Sequence, residues 1–227
     1  MKEREEDFLG GVRIPGEGGE LRLFRKGREF SLRVHGTELM NSLVHDSEDS
    51  LAKLVCGRLR HLTEPVLLIG GLGMGFTLAA ALKAVGPKAR VIVAELIPGV
   101  VEWNRGPLAH LAGRPLEDAR VAVRVQDVAL SLQTEEAAFD GILLDVDNGP
   151  EGLTRDSNNW LYSEEGLAAA YSALRPGGIL AVWSGHPDKT FAMRLRKIGF
   201  EVEEARVTAR ARGRGDRHTI WLALNRA

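Results

Sequence analysis

Short apolar runs, repeated along most of the chain, are the feature of this 227-residue sequence that most limits its fold. From Pro65 onward they occupy residues 66–69 (VLLI), 91–94 (VIVA), 121–125 (VAVRV), 141–144 (GILL) and 179–183 (ILAVW). Stretches of helical pattern, such as 76–85 and 164–174, separate them. Strands that are apolar on both faces are typical of a parallel sheet covered by helices on both sides. The pattern therefore predicts a Rossmann-like, doubly wound, mostly parallel α/β sheet.

Strand patterns also occur on either side of this region. Residues 20–34 (ELRLFRKGREFSLRV) alternate apolar and polar side chains around Lys26 and Gly27, which predicts a small N-terminal β-hairpin. Residues 201–211 and 217–224 are two further strand-type stretches. We expect them to pair antiparallel at the edge of the sheet, through a turn at residues 213–216.

A helix is predicted between the N-terminal hairpin and the first apolar run. Within residues 47–62, apolar side chains recur at helical spacing behind a start rich in serine and aspartate: Leu51, Leu54, Val55, Leu59 and Leu62. We expect this amphipathic helix to pack on the sheet and to end before residues 63–65. The sequence is accordingly divided into an N-terminal appendage with its packing helix, residues 1–62, and an α/β domain, residues 63–227.

Composition restricts the partners and the compartment. The net charge of -1 gives no bulk attraction to nucleic acid or anionic lipid. Residues 66–82 carry no charge, but their many glycines argue against a membrane span, so we expect no membrane partner. Cys56 is the single cysteine, the histidines lack metal-ligand spacing, and the sequence opens without a basic and then apolar leader. We therefore expect a cytoplasmic protein without a metal ion.

A glycine-rich turn containing Gly71, Gly73 and Gly75 joins the first apolar run to the helical stretch that follows. In doubly wound folds ligands bind at this point, outside the carboxyl ends of the strands and beside a helix N-terminus. The spacing is not a dinucleotide fingerprint, because Phe76 stands where the third glycine would fall, and the lysine of a Walker loop is missing. We predict that the three glycines let the backbone approach a ligand. The alternative is a turn that only packs tightly.

Acidic residues follow two further strands. Glu95 ends the second run, where a carboxylate can accept hydrogen bonds from both ribose hydroxyls of a nucleoside. Asp127 follows the third run, within reach of an adenine amino group. Either residue could instead be an ordinary strand-end charge or turn residue. With the glycine turn, they predict a pocket for a nucleoside without phosphates, which points to an adenosyl sulfonium.

Two more acids, Asp145 and Asp147, follow the fourth run. The carboxyl edge of the sheet should bring Asp145 near a sulfonium held by Gly71 and Glu95. A sulfonium is already an activated leaving group, so the protein mainly positions a nucleophile, an effect worth about 7 to 11 kcal/mol. We predict that Asp145 and Asp147 are catalytic, with Asp145 orienting an amine through its charge. The alternative is that both only cap a loop.

The motifs, taken in order, resemble the spermidine synthase (polyamine aminopropyltransferase) family within the class I S-adenosylmethionine-dependent methyltransferase superfamily. The matching stretches lie within roughly residues 65–185 and read VLLIGGLGMG, VIVAELIPGVVEWNR, ARVAVRVQD, FDGILLDVDNGP and LYSEEGLAAAYSALRPGGILAVWS. The resemblance implies one of two co-substrates and no metal: S-adenosylmethionine for methyl transfer, or decarboxylated S-adenosylmethionine for aminopropyl transfer.

The sequence departs from this family at positions that contact polyamines. The family's glycine motif carries an aspartate that helps hold the aminopropyl amine, and Gly73 stands in its place. The second acid of the family's acidic loop has shifted to Asp147, and the stretch HDSEDSLAK lacks the family's tyrosine. We therefore favour methyl transfer to a small-molecule, amine-type acceptor. The alternatives are aminopropyl transfer to a diamine and a non-catalytic ligand-binding homologue.

Partners other than a small molecule are also considered. The arginines of the C-terminal hairpin could contact RNA, but acidic neighbours and the lack of interleaved aromatics favour a solvated hairpin or a subunit contact. These are Arg206, Arg210, Arg212, Arg214 and Arg217. The edges of the N-terminal hairpin could pair with a second copy to give a homodimer. Residues 150–163 end on Trp160 and Tyr162, which suggests an aromatic lid; docking of Trp160 into the core is the alternative.

Overall fold

The computed structural model describes residues 6–16, 19–146, 160–185, 187–210 and 214–226, which form two sheets and six α-helices. The first sheet contains β1 (Asp7–Arg13), β2 (Glu20–Lys26), β3 (Glu29–Val34) and β4 (Thr37–Asn41). The second contains β5 (Val66–Gly70), β6 (Arg90–Glu95), β7 (Val121–Val125), β8 (Phe139–Leu144), β9 (Leu174–Ser184), β10 (Glu201–Arg210) and β11 (Arg214–Leu224). The helices are α1 (Asp46–Arg58), α2 (Phe76–Ala84), α3 (Pro98–Arg105), α4 (Val128–Thr134), α5 (Glu164–Ala173) and α6 (Lys189–Ile198).

The larger sheet has the strand order β10-β11-β9-β8-β5-β6-β7. Strands β5 to β9 pair in parallel, whereas β11 pairs antiparallel with β9 and β10 antiparallel with β11. The predicted doubly wound α/β sheet with an antiparallel hairpin at its edge is confirmed. The hairpin is longer than predicted: Arg210 pairs with Arg214, so residues 214–216 belong to β11 rather than to the turn.

The strand order reverses at β5, since β6 lies on one side of it and β8 on the other. In doubly wound sheets this switch point opens a crevice at the carboxyl ends of the two central strands, and ligands bind there. The backbone joins the two ends directly, because Asp145 N–H donates to the Gly70 carbonyl at 3.0 Å. The fold therefore places the glycine turn and Asp145 side by side.

The N-terminal sheet is larger than the predicted hairpin. Strands β2 and β3 form that hairpin, but β1 pairs with β2 and β4 pairs with β3, giving the order β1-β2-β3-β4. Both edges of the predicted hairpin are paired within the chain, so they are not open to a second copy, and a homodimer stays a prediction. Leu23 and Leu32 are buried in the same core as Leu67 and Ile69 of β5. The division at residue 62 stays a prediction.

Helix α1 is shorter than the predicted helix. It begins at Asp46 and ends at Arg58, with the Leu59 N–H closing the last turn on Cys56 and Val55. Leu62 lies beyond the helix in a turn, where its N–H donates to the Leu59 carbonyl at 3.0 Å. Leu51, Ala52, Val55 and Cys56 form the buried face. The residues that follow that face keep the apolar spacing of a helix, which explains why the sequence pattern overstates its length.

The prediction that Tyr162 belongs to an aromatic lid is wrong. Tyr162 is buried, its hydroxyl donates to the Val146 carbonyl at 3.1 Å, and its ring packs edge-on against Phe191. Trp160 also packs against the core, in agreement with the alternative interpretation. Residues 150–159 of the proposed lid lie outside the described residues. No α-helix in the described ranges is long and apolar enough to cross a membrane.

Candidate functional site

A cavity of about 380 Å³ lies at the carboxyl ends of β5, β6 and β8. One part of the lining, which we term the sheet-edge wall, is formed by residues at or just beyond the carboxyl ends of the parallel strands: Gly71, Gly73, Glu95, Asp127 and Asp145. A second part, the N-terminal wall, comes from β4, the turn after it and the start of α1: Glu38, Met40, Asn41, Val44, Ser47 and Glu48. The cavity has the size of a small-molecule site.

The glycine turn is the part of the sheet-edge wall that follows β5. Gly71 has a φ of +87°, and a Cβ there would lie 2.5 Å from the backbone oxygen of Asp145, so no other residue fits. Gly73 also lines the cavity, and the Asn104 side chain donates to its carbonyl at 2.8 Å. Gly75 is the N-cap of α2 and is not among the described residues that line the cavity. The structure thus brings two of the three predicted glycines to the cavity.

Glu95 ends β6, is buried, and lines the cavity. One carboxylate oxygen accepts from the Leu72 N–H and the other from the Ile97 N–H, each at 2.8 Å. Burial raises the pKa of Glu95, while hydrogen bonds from these backbone N–H groups act in the opposite direction. Glu95 therefore holds the glycine turn in place as well as facing the ligand space.

Asp127 lies two residues beyond the end of β7 and is the N-cap of α4, a role that sequence reasoning left open. Its carboxylate accepts from the Ala129 N–H at 2.9 Å. Capping satisfies one of the four free N–H groups at a helix start. Because Asp127 also lines the cavity, the structural role and the predicted ligand contact are compatible.

Asp145 directly follows β8 and faces the same cavity. Its carboxylate accepts a hydrogen bond from the Thr77 hydroxyl of α2. Burial raises the pKa of Asp145, and the Thr77 hydrogen bond acts in the opposite direction. Asp147, the second predicted catalytic acid, lies outside the described residues.

The N-terminal wall contains a carboxylate that sequence reasoning missed. Glu48, in the first turn of α1, lines the cavity and accepts from the Ser47 hydroxyl at 2.6 Å. Burial, and secondarily the charge of Asp145, raises the pKa of Glu48 to about 7. In the sequence, acids at a helix start are typical of capping and of the helix dipole, so no local signal separates Glu48 from Asp46 or Asp49.

The charge of the lining is one-sided. Five carboxylates contribute to it, and the described lining residues include no lysine or arginine: the acids are Glu38, Glu48, Glu95, Asp127 and Asp145. His218 and Trp183 complete the wall near β9 and β11, with their rings edge-on at 4.7 Å. A cavity of this charge favours a cationic ligand.

A sequence model of the spermine/spermidine synthase domain matches residues 50–195. The chain belongs to the spermine/spermidine synthase family. The polyamine aminopropyltransferase of Mycobacterium tuberculosis (strain CDC 1551 / Oshkosh) is 29% identical over 175 residues, which are 75% of this chain and 32% of that protein. Polyamine aminopropyltransferase 2 of Pseudomonas aeruginosa is 30% identical over 154 residues, 63% of this chain and 42% of that protein. The match thus spans less than half the length of these two relatives of the family.

Solved structures of the spermidine synthase family share the fold. A spermidine synthase in complex with the transition state analogue AdoDATO superposes with a TM-score of 0.74 at 19% identity, covering 96% of this chain and 72% of that one. The spermidine synthase of Thermotoga maritima gives a TM-score of 0.73 at 18% identity, with 96% and 72% covered. At these identities the likeness concerns the fold alone.

The preference for methyl transfer finds no support in these relatives of the family, which favour the alternative, aminopropyl transfer. The preference depended on the missing acid at Gly73 and on the missing tyrosine upstream. Sequence spacing alone could not reveal that the upstream stretch delivers Glu48 into the same cavity. The departures remove particular residues, but they leave the wall rich in carboxylates.

Proposed function

We propose that this protein transfers an aminopropyl group from decarboxylated S-adenosylmethionine to a small amine acceptor. The observation that carries the proposal is the acidic cavity at the switch point of a spermidine-synthase-type fold. Decarboxylated S-adenosylmethionine carries a sulfonium and an ammonium, and the acceptor amine is cationic near neutral pH. Both substrates therefore match the charge of the lining.

The same charge disfavours the intact donor. S-adenosylmethionine adds a carboxylate, which would lie among five acids without a lysine or arginine in the described lining. The N–H groups of the glycine turn offer little compensation: Gly71 donates to Ala94, Leu72 to Glu95, and Gly75 to Leu72. Selection against the carboxylate thus depends on repulsion as well as on contacts with the preferred donor.

Each predicted residue has a role in this proposal. Gly71 and Gly73 let the backbone approach the donor, with Gly75 shaping the turn behind them. Glu95 accepts hydrogen bonds from the ribose hydroxyls, and Asp127 contacts the adenine amino group. Asp145 attracts and orients the acceptor amine, and Asp147, two residues later in the sequence, is proposed as the second catalytic acid.

The reaction needs one displacement at carbon. The nitrogen lone pair of the deprotonated acceptor attacks the aminopropyl carbon bonded to sulfur, so a C–N bond forms as the C–S bond breaks and its electron pair goes to sulfur. The products are an aminopropylated amine and methylthioadenosine, and the amine loses one proton in total. The protein supplies position, charge and, through Asp145, a group that can accept or relay that proton.

Calorimetric titration with the two donors tests the proposal. We expect decarboxylated S-adenosylmethionine to bind at least about 10-fold more tightly than S-adenosylmethionine, equivalent to about 1.4 kcal/mol. Incubation with 1,4-diaminobutane should then yield methylthioadenosine and an aminopropylated product, detected by mass spectrometry. A preference for the intact donor would restore methyl transfer. Binding of neither donor would favour a non-catalytic homologue.

A further inference from the structure

The position next to Gly73 is filled by the N-terminal wall. A Cβ at residue 73 would lie 3.0 Å from Sδ and 3.1 Å from Cε of Met40, which belongs to β4. Gly73 also has a φ of +52°, a backbone angle that residues other than glycine rarely adopt. The glycine turn therefore cannot supply an acid here without moving Met40, and any further carboxylate near this part of the cavity must come from another element.

Glu48 is a carboxylate from another element that lines the same cavity, and its surroundings set it apart from its neighbours on α1. Asp49 faces a cation and an imidazole, with Lys53 Nζ at 3.5 Å and His45 Nδ1 at 3.8 Å. Among the described residues, by contrast, neither Glu48 nor Asp145 forms an ion pair with a lysine, arginine or histidine. Glu48 instead shares the cavity with Asp145, and its Ser47 partner is a neutral hydroxyl.

Two nearby buried carboxylates without a cationic partner destabilise the charged form of each other. Burial disfavours the charge on each, and the charge of Asp145 adds to the pKa increase of Glu48. A bound ammonium group would stabilise the charged form of both carboxylates, because one cation can pair with both of them and donate hydrogen bonds to each. An alkylammonium fits this requirement better than a neutral group.

We propose that Glu48 and Asp145 together hold an ammonium group of the substrate, with Glu48 as the residue that selects for an amine. The proposal depends on the proposed function in one respect, that the ligand of this cavity is a small amine. The ammonium belongs either to the acceptor or to the aminopropyl end of the donor, and the test separates these two sources.

The test compares Glu48→Gln with Asp49→Asn, which removes the same charge from the next residue of α1 but outside the lining. Calorimetry at pH 8 measures the binding of 1,4-diaminobutane and, separately, of decarboxylated S-adenosylmethionine. For at least one of the two ligands, we expect Glu48→Gln to weaken binding about 10-fold or more and Asp49→Asn to change it less than about 2-fold. Loss for the diamine assigns the ammonium to the acceptor, and loss for the donor assigns it to the aminopropyl end.

The pH dependence gives a second readout that a purely structural role would not produce. In the wild-type protein, the affinity for the affected ligand should rise from pH 6 to pH 8 as Glu48 loses its proton, and in Glu48→Gln this rise should be smaller. Other titratable or charged groups that face the cavity or adjoin Glu48 on α1 are the same in both proteins: Glu38, Asp46, Asp49, Glu95, Asp127, Asp145 and His218.

Equal affinities of Glu48→Gln and Asp49→Asn for both ligands would overturn the inference, as would a wild-type protein that binds neither. The proposed function can fail separately. If an ammonium ligand binds in a Glu48-dependent manner but no aminopropyl transfer occurs, the amine site stands and the reaction is wrong. If transfer occurs and Glu48→Gln binds and reacts like the wild type, the reaction stands and the assignment of Glu48 is wrong.

Discussion

The two walls of the cavity differ in how the chain builds them. The sheet-edge wall follows directly from the fold, because parallel strands end at one edge and residues at or just beyond these ends face the same space. The N-terminal wall depends on a separate four-stranded sheet and on the start of α1, which follows that sheet in the chain. Residues of the sheet-edge wall can be inferred from sequence spacing. Those of the N-terminal wall can be identified only from the folded structure.

Substitution of Gly71 in the glycine turn should impair both the stability of the protein and its binding of the donor. In Gly71→Ala the new Cβ would lie 2.5 Å from the Asp145 carbonyl oxygen, and a φ of +87° adds strain. We expect a loss of about 3 kcal/mol or more in the free energy of unfolding, measured by urea denaturation, together with loss of donor binding.

Gly36→Ala is the matched control for this substitution. Gly36 has a φ of +82°, but no atom lies within 4 Å of its would-be Cβ. The control should cost only the backbone strain, about 1 kcal/mol. Equal costs at the two positions would mean that the glycine turn can move away from Asp145, and that the sheet-edge wall is less rigid than the structure implies.

Asp145→Asn tests whether a carboxylate of the sheet-edge wall takes part in the transfer reaction. The amide can still accept from the Thr77 hydroxyl, so the contact survives and the charge is lost. We expect kcat for aminopropyl transfer to fall about 100-fold, while the Kd for the donor changes much less and stability is maintained or increased because burial disfavours the carboxylate.

Asp140→Asn provides the contrast on the same strand. Asp140 lies at the other end of β8, accepts from the Val66 N–H at 2.7 Å and pairs with Arg175 at 2.8 Å. Its substitution should lower stability and leave kcat of the folded protein unchanged. A stable Asp145→Asn variant with wild-type kcat would remove Asp145 from the reaction.

Glu95 should show a double effect that sequence reasoning did not anticipate. Glu95→Ala leaves the N–H groups of Leu72 and Ile97 without their acceptor, so unfolding free energy should fall by about 2 kcal/mol in addition to the loss of nucleoside affinity. Asp127→Asn is a useful companion, because asparagine caps a helix about as well as aspartate and should preserve stability. Donor titration and urea denaturation of each variant separate the two effects; unchanged nucleoside affinity in Glu95→Ala would exclude Glu95 from binding.

These examples show which parts of the site were accessible from sequence. The parallel sheet, the glycine turn and the acids after β6, β7 and β8 were predicted because each depends on local pattern and on one geometric rule. For Glu95 and Asp127 the sequence left open an ordinary strand-end charge or turn residue, but it did not indicate that Glu95 holds the glycine turn or that Asp127 caps α4, because both contacts depend on the folded backbone. Glu48 could not be found, because its place in the cavity depends on β4 and α1 meeting a sheet edge that lies much later in the chain.

The N-terminal wall should be detectable through the pH dependence of stability. The pKa of Glu48 is about 7 in the folded protein, above its ordinary value of 4.5, so between these values the folded state binds more protons than the unfolded state. Stability linked to Glu48 must therefore fall as pH rises through this window. We expect Glu48→Gln to match the wild type near pH 4.5 and to be more stable by about 1 to 2 kcal/mol at pH 8, measured by denaturant titration at both pH values. A constant difference at both pH values would show that Glu48 titrates normally.

The smallest effect should come from the contact between the two walls. Gly73→Ala places a Cβ 3.0 Å from Met40 Sδ, but methionine is flexible and can adjust at modest cost. In a Met40→Ala background the same substitution should cost only the strain of the φ of +52°. A double-mutant cycle by urea denaturation should therefore give a coupling of about 0.5 to 1 kcal/mol. Zero coupling would mean that Met40 does not rest on the glycine turn, so that the N-terminal wall can move independently of the sheet-edge wall and position Glu48 only when a ligand bridges the two.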